Sequence, residues 1–174
     1  MKRIAAWVAL VVLTGWTPVL ADGREELVRS YVDRIVVNSL DEPDRHQAYF
    51  TESQLLNDFS GDFVNTYADA LKASRKRGDP ALFETDPMTG DTNRCPIGKT
   101  GIIDRTRSDT RNMLDVTMET PSCDGAPVRS IRLMFILEQD DPSSGLYRID
   151  DVLRFIDEGN WFSLKAWLER QTKP

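Results

Sequence analysis

The sequence predicts an α+β domain in which N-terminal helices pack on an antiparallel sheet and a short helix follows at the C-terminus. Three patterns lead to this prediction. Apolar residues recur at helical spacing over residues 24–77, they alternate at strand spacing over residues 101–155, and turn-forming residues separate the strand segments. Helices that precede a run of strands, rather than alternating with strands, are typical of the α+β class.

The N-terminus has the order of features found in secretory signals. Lys2 and Arg3 precede the apolar run Ile4–Leu13, and the small-residue site Val19–Ala21 follows. This order of charge, apolar core and small residues is typical of a cleavable signal peptide. The apolar run is about half the length of roughly 20 residues that a membrane-spanning helix needs.

We therefore predict a signal peptide over residues 1–21, with cleavage after Ala21, and a single α+β domain over residues 22–174. An uncleaved N-terminal anchor is the alternative. The signal directs the domain to the periplasm, or out of the cell altogether, and no stable membrane insertion is expected after cleavage.

The charge balance is acidic. The chain has 22 basic and 28 acidic residues, and removal of Lys2 and Arg3 leaves 20 and 28, a formal charge of −8. Such a surface repels phosphate backbones, so nucleic acid is not an expected partner. A basic protein or a cationic ligand is favoured by the net charge.

The two cysteines, Cys95 and Cys123, are expected to form a disulfide, because a signal sequence delivers the chain to an oxidising compartment. The loop-entropy relation gives roughly 3.5 kcal/mol for a loop of this length. The alternative is a metal or redox pair, which would require C-x-x-C spacing or neighbouring histidines.

Two long helices are predicted in the first half. The first covers residues 24–40 and has an apolar stripe at i, i+3, i+4 spacing. A short helical turn over residues 44–49 follows Pro43. The second long helix begins with the capping box Thr51–Gln54 and extends to Gly78, with a break or bend expected at Gly61.

Strands are predicted after a loop at residues 79–99. They cover residues 101–105, 113–119, 128–139 and 146–155, and residues 160–171 are predicted as an amphipathic helix. The middle of the third of these strands is apolar on both faces through Met134 and Ile136, which favours a central position in the sheet.

Three segments resemble a known family. Gly145–Val152 resembles the "G-x-W-R-I-D-D-I" strand of the nuclear-transport-factor-two-like (cystatin-like) superfamily, with Tyr147 in the aromatic position. Thr85–Asp91 and Ser163–Leu168 resemble a loop and a helix of one exported bacterial branch, the family designated domain of unknown function 3828.

The resemblance covers residues 25–169 and implies a cone-shaped α+β fold, with a curved sheet wrapped by three N-terminal helices around a pocket. It implies no single activity, because the superfamily includes isomerases, dehydratases, hydrolases and binding modules. The loop that contains Cys95 departs from the family pattern.

Asp151 is the candidate catalytic carboxylate. Neighbouring strand residues point to opposite faces, so Asp151 is predicted to share the inner face with Ile149 and to point into the cone. Tyr31 and Tyr67 lie on the helix stripes and are candidates to line the same pocket. The alternative is that Asp151 makes structural hydrogen bonds and that both tyrosines are core residues.

Other chemistry has little support. The chain has a single histidine, His46, without an identifiable nucleophile, and Gly98-Lys99-Thr100 lacks the first glycine of a phosphate-binding loop. Asp86, Asp91 and Asn93 are not spaced as a calcium loop. No metal and no cofactor are predicted.

Four arginines lie on the last strands and are predicted to form cross-strand ion pairs or a mixed-charge docking surface. They are Arg129, Arg132, Arg148 and Arg154. Arg132, Arg148 and Asp150 are expected on the outer sheet face, near Asp115 and Thr117.

The function expected from the sequence is non-catalytic binding of a protein or small molecule, with an inhibitor or immunity-type role as one form. The alternative is an isomerase or dehydratase that uses a buried Asp151. A purely structural envelope domain is the third class.

Overall fold

The predicted elements are present in the predicted order, with the second helix divided into two and a fifth strand added before the last helix. The computed structural model describes residues 23–91, 95–106, 112–123, 127–141 and 145–173, so the predicted signal peptide at residues 1–21 lies outside the described residues. The helices are α1 (Gly23–Asn38), α2 (Glu52–Asp58), α3 (Gly61–Arg77) and α4 (Leu164–Gln171). The strands are β1 (Lys99–Asp104), β2 (Asn112–Thr120), β3 (Arg129–Asp141), β4 (Leu146–Asp157) and β5 (Asn160–Ser163).

The prediction of an α+β fold with a short C-terminal helix is confirmed. All five strands form one antiparallel sheet in the order β1-β2-β3-β4-β5, so each strand pairs with its neighbours in sequence. The predicted central strand is β3. Leu114, Val116 and Met118 of β2 lie on one face, as their alternation predicts, and all three are buried.

The predicted stripe of the first helix is buried in α1 through Val28, Tyr31, Val32 and Ile35. The helical turn predicted after Pro43 is shorter than expected. Only Pro43–Arg45 is helical, as a 3-10 turn, because the backbone is already extended at His46.

The second predicted helix is interrupted earlier than Gly61. Thr51 caps α2 through the predicted capping box with Gln54, and α2 ends at Asp58. Ser60 then begins α3, because its Oγ accepts a hydrogen bond from the Phe63 N–H at 3.0 Å. The Ser60 N–H donates to the Ile149 carbonyl at 2.9 Å, which ties the break to β4. Capping and sheet contact therefore explain the break better than glycine flexibility does.

Residues 160–163, predicted as helix, form the edge strand β5. Gly159 adopts φ 83°, which permits the tight turn between β4 and β5. The Ser163 hydroxyl accepts a hydrogen bond from the Ala166 N–H at 2.9 Å and caps α4. The four residues predicted to start an amphipathic helix are therefore an extra strand that ends in a helix cap.

The core lies between the helices and one face of the sheet. Phe59 and Phe63 stack at a centroid distance of 4.5 Å, and Tyr31 meets Phe59 edge-on at 5.4 Å. Phe50 contacts the same cluster from the segment before α2. Each large apolar side chain buried in this way contributes roughly 1.5–3 kcal/mol. The space that a cone-shaped domain would offer as a pocket is occupied here by aromatic rings.

Among the described residues, no helix combines the length and the apolar character that crossing a membrane requires.

The predicted disulfide joins Cys95 and Cys123, whose Cα atoms are 5.9 Å apart. Cys95 precedes β1 and Cys123 follows β2, so the bond closes the open end of the β1–β2 hairpin. Next to it, the Gly98 N–H donates to the Glu119 carbonyl at 2.9 Å. The bond therefore holds the long loop before β1 against the sheet.

Replacing both Cys95 and Cys123 with serine should lower the free energy of unfolding by about 3.5 kcal/mol, because the unfolded chain regains the entropy of the open loop. Urea denaturation of the wild type and the double variant measures this loss. Reduction of the wild type should produce the same loss, and an unchanged midpoint would show that the bond does not stabilise the fold.

Candidate functional site

Tyr31 and Tyr67, the predicted pocket residues, belong to the core. Tyr31 is fully buried, and its hydroxyl donates to Asp58 Oδ2 at 2.9 Å. Burial first, and then the Asp58 carboxylate, raise the pKa of Tyr31 above its ordinary value. Tyr67 is partly buried and packs against Phe50 at a ring distance of 5.1 Å. Both side chains therefore agree with the alternative prediction, in which the two tyrosines are core residues and do not line a pocket.

Asp151 lies on the face opposite to the one predicted. Ile149 pairs with Leu137 and Val152 pairs with Phe135, and all four are buried beneath the helices. Asp151 pairs with Ile136 on the other face, because the register shifts between Ile136 and Leu137. The β-bulge adds one residue to β4 and reverses the alternation on which the prediction depended.

The Asp151 carboxylate is engaged in structural hydrogen bonds. It accepts from the Ser163 hydroxyl at 2.6 Å, from the Lys165 N–H at 3.0 Å and from the Val152 N–H at 2.8 Å. Burial raises the pKa of Asp151, and these hydrogen bonds oppose the rise. The group holds the junction between β5 and α4 in place.

The bulge also redirects Asp150, which was predicted on the outer sheet face. Its Oδ1 accepts from Ser60 Oγ and from Lys165 Nζ, each at 2.8 Å. Lys165 Nζ also pairs with Asp62 at 2.5 Å. Asp150 therefore connects β4 to the beginnings of α3 and α4.

Arg148 has the register of the outer face, because its neighbour Ile149 faces the core, but its guanidinium is not part of the Arg132 group. Its guanidinium donates to the Leu56 carbonyl on α2 and pairs with Asp140 at 3.1 Å. Of the predicted outer-face charges, Arg132 and Asp115 do lie together.

Among the cavities that the described residues form at the surface, three are well defined, and none of these three is lined by Tyr31, Tyr67 or Asp151. One of about 400 Å³ lies beside Cys95 and the C-terminal end of α1. A second, of about 790 Å³, lies between residues 79–87 and α4. The third, of about 440 Å³, lies beside the Asp62, Asp150 and Lys165 cluster.

The second face of the sheet is not covered by the helical core. Except for Ile136, which is buried, its apolar side chains neither belong to the buried core nor pack against it. Ile103 is 47% exposed, and Trp161 is partly exposed. We call this surface the open face and define it as Ile103, Met113, Asp115, Arg132, Met134, Leu153, Phe155 and Trp161.

An ion pair with a buried carboxylate and a partly exposed arginine lies at the centre of the open face. Asp115 is only 1% exposed. Arg132 donates to it from Nε at 2.9 Å and from Nη2 at 2.5 Å, and Arg105 approaches it at 3.5 Å. The Arg132 guanidinium lies over the Trp161 ring at 5.4 Å, and Phe155 meets Trp161 edge-on at 5.3 Å. The arrangement places one arginine between a carboxylate and an indole.

Two further motifs from the sequence, His46 and the segment Gly98-Lys99-Thr100, show no arrangement for catalysis or phosphate binding among the described residues. His46 is exposed, with a ring nitrogen 3.1 Å from the Leu40 carbonyl oxygen. Gly98 directly precedes β1, and Lys99 and Thr100 are its first two residues, so the strand begins two residues earlier than predicted and no turn is formed by this segment.

The acidic residues considered for calcium are engaged elsewhere. The Asp86 carboxylate accepts from the N–H groups of Met88 and Thr89 and from the Tyr49 hydroxyl. Asp91 pairs with Arg129 at 2.7 Å, and Asn93 lies outside the described residues. Within the described ranges, no group of three or more His, Cys, Asp or Glu residues is placed to hold a metal ion.

No family model, curated protein or solved structure matches this chain.

Sequence reasoning missed Trp161, because the segment that contains it was predicted to be helical. The signal was present in Asp157-Glu158-Gly159-Asn160, a turn sequence that follows a strand and precedes two aromatic residues. Interpreting this turn as a hairpin would have placed Trp161 on a strand beside Phe155, and so on the open face.

Replacing Asp151 with asparagine should change how stability depends on pH. A carboxyl group with a raised pKa in the folded state favours folding most when it is protonated. The stability of the wild type relative to the asparagine variant should therefore decline as pH rises from about 4, the ordinary aspartate value, through the folded-state pKa. Urea denaturation of both proteins at a series of pH values measures the difference. A difference that is constant, or that grows in favour of the wild type, would contradict this account.

A double-mutant cycle on Asp115→Ala and Arg132→Ala should give a coupling free energy of about 1–2 kcal/mol, because the bidentate pair has a buried carboxylate. The exposed pair Lys99–Glu119, separated by 3.5 Å, is the matched control and should give a coupling below about 1 kcal/mol. Equal coupling in the two pairs would show that burial of Asp115 adds nothing.

Proposed function

We propose that this protein is an exported, non-catalytic domain that recognises another protein through the open face. The observation that carries the proposal is the exposed cluster of Arg132 and Trp161 above the buried Asp115, on a sheet face that the helical core leaves bare. Trp and Arg are the residue types most enriched among interface hot spots, and Met is enriched at interfaces in general.

The geometry of Arg132 supports a role in recognition. Its hydrogen bonds to Asp115 use Nε and Nη2, and Nη1 makes no hydrogen bond to any described residue. The side chain is 39% exposed, although its partner carboxylate is buried. The guanidinium is thus held in one orientation before binding, which lowers the entropy cost of placing it in an interface.

The chemistry of the face also defines the partner. Arg105 and Arg132 are the exposed charges at the centre, because Asp115 is buried. Around them lie apolar side chains, among them Met134 and Leu153. We expect a partner with an apolar patch that carries a carboxylate for Arg132. This local charge differs from the net charge of the chain, which favours a basic partner.

The packed interior supports binding rather than catalysis. A pocket enzyme of the predicted type needs a cavity that reaches a desolvated carboxylate. Here Phe59 and Phe63 occupy the interior, and Asp151 lies on the other face with three hydrogen-bond donors directed at it.

We also propose that the domain acts in the periplasm after cleavage at Ala21, and that it belongs to the nuclear-transport-factor-two-like superfamily as a cone-shaped member. The disulfide Cys95–Cys123 supports an oxidising location. Helices gathered on one side of an antiparallel sheet support the superfamily. Neutralisation of a partner protein, as in an inhibitor or immunity protein, is one role that this surface would serve.

The test is site-specific cross-linking in living cells that express the full chain. A photoreactive amino acid at position 103 should produce one discrete cross-linked species, because Ile103 is exposed at the edge of the open face. The same amino acid at position 72, exposed on α3, is the control and should produce none. Trp161→Ala should reduce the yield about ten-fold or more, as expected for loss of a hot-spot residue.

Arg170→Ala, which removes an exposed arginine from α4, should leave the cross-link unchanged. Thermal unfolding of each variant establishes that it is folded. Equal yields at positions 72 and 103, or a yield unaffected by Trp161→Ala, would contradict the proposal. A cross-link between two copies of this chain would show that the partner is not a different protein.

A further inference from the structure

A second surface feature, distinct from the open face, has the character of a small-molecule site. The cavity of about 790 Å³ lies between the irregular segment 79–87 on one side and β4, β5 and α4 on the other. We call it the loop groove. Its volume is within the range of pockets that hold small organic ligands.

Aromatic rings form the apolar part of the loop groove. Phe83 stacks on Trp167 with a centroid distance of 5.1 Å and an interplanar angle of 23°. Phe162 lines the same cavity from β5. Rings supplied by a loop, a strand and a helix therefore meet around one space, which suits a flat or apolar group.

Arg154 supplies the polar part of the loop groove. Its guanidinium lies over the Phe162 ring at 4.5 Å and makes no hydrogen bond to any described residue. The guanidinium also lies close to Gly90, where an added Cβ would lie 2.0 Å from Nη1. The arginine is thus held between a ring and a glycine, and no described residue accepts a hydrogen bond from its guanidinium.

The nearby carboxylates do not take these donors because they are already engaged. Asp86 accepts hydrogen bonds from the N–H groups of Met88 and Thr89, and Asp91 forms a bidentate pair with Arg129. Burial lowers the pKa of Arg154, and the charges of Asp86 and Asp91 oppose this. A half-buried cation without a hydrogen-bonded anion is an uncommon arrangement, since desolvated charges are normally paired.

We propose that the loop groove binds a small apolar or aromatic monocarboxylate, with the carboxylate on Arg154 and the apolar portion against Phe83, Phe162 and Trp167. A guanidinium presents parallel N–H donors that match the two oxygens of a carboxylate. This site is separate from the open face, and it does not depend on the proposed protein partner.

The charges around the loop groove restrict the ligand to one negative charge. Asp79 lies at the rim and is paired with Arg77 at 2.9 Å, and Glu84 is exposed on the same rim. A ligand with two or three negative charges, such as a nucleotide, would meet these carboxylates and Asp86, against two arginines, of which Arg77 is already paired with Asp79. Repulsion between like charges disfavours such ligands.

The test is titration of the folded domain with phenylacetate. Binding is measured by calorimetry and by the shift of the NMR signal of the Trp167 indole N–H. Phenylacetate should bind saturably and shift that signal. 2-Phenylethanol, which has the same ring without the charge, should bind about ten-fold or more weakly, the difference expected when a charge-assisted hydrogen bond is lost.

Arg154→Gln should weaken phenylacetate binding by about the same factor and leave binding of 2-phenylethanol unchanged. Arg77→Gln is the matched control, because this rim arginine already has partners in Asp79 and the Gln171 carbonyl, and it should change binding little. Gly90→Ala keeps every charge but displaces the Arg154 guanidinium, so it should also weaken phenylacetate binding.

Two results would overturn the proposal. One is the absence of saturable phenylacetate binding to the wild type. The other is binding that Arg154→Gln and Gly90→Ala both leave unchanged while each variant keeps the wild-type fold, as judged by its NMR spectrum.

Discussion

Burial of one face of the sheet beneath the helices is the constraint on which the rest of this structure depends. Leu133, Phe135 and Leu137 alternate along β3 and are covered by the stripe of α1 and by the rings at the start of α3. Among the described residues the helices lie on one side of the five-stranded sheet, and an antiparallel sheet of this kind commonly has its other face in contact with solvent or a partner. The same packing that stabilises the domain therefore closes its interior and exposes Trp161 and Arg132.

The bulge in β4 determines where the polar groups go. Without it, Asp150 and Asp151 would continue the simple alternation of the strand, and Asp151 would face the helices. With it, Asp150 reaches Ser60 and Lys165 in the helical layer, and Asp151 binds the Ser163 and Lys165 junction. Two adjacent carboxylates that suggest acid–base chemistry in the sequence are structural connectors between strands and helices.

Much of the fold could be predicted from local pattern. The α1 stripe, the Thr51 capping box, the disulfide and the central position of β3 each depend on residues close in sequence or on one long-range pair. The bulge could not be predicted, because it depends on how β3 and β4 pair. The early end of α2 could not be predicted for a similar reason, because it depends on the long-range hydrogen bond from the Ser60 N–H to the Ile149 carbonyl.

The candidate sites were harder to predict than the fold. Arg132 and Asp115 were correctly placed together, because both lie on regular strands where alternation holds. Trp161 was missed with β5. The loop groove could not be predicted either. Arg154 can serve as its proposed carboxylate-binding group only because Gly90, in an irregular loop, packs against the guanidinium. Sites built from loops and edge strands depend on tertiary contacts that no periodicity records.

Methionine oxidation tests most directly the claim that one face of the sheet is buried and the other exposed, because methionines lie on both faces. Met113 and Met134 lie partly exposed on the open face, whereas Met88 and Met118 are buried beneath the helices. Mild peroxide treatment of the folded domain, followed by mass spectrometry of peptides, measures the rate at each site. Fast oxidation of Met113 and Met134 with protection of Met88 and Met118 is the predicted result. Similar rates at all four positions, or faster oxidation of Met118, would contradict a domain that is closed on one face and open on the other.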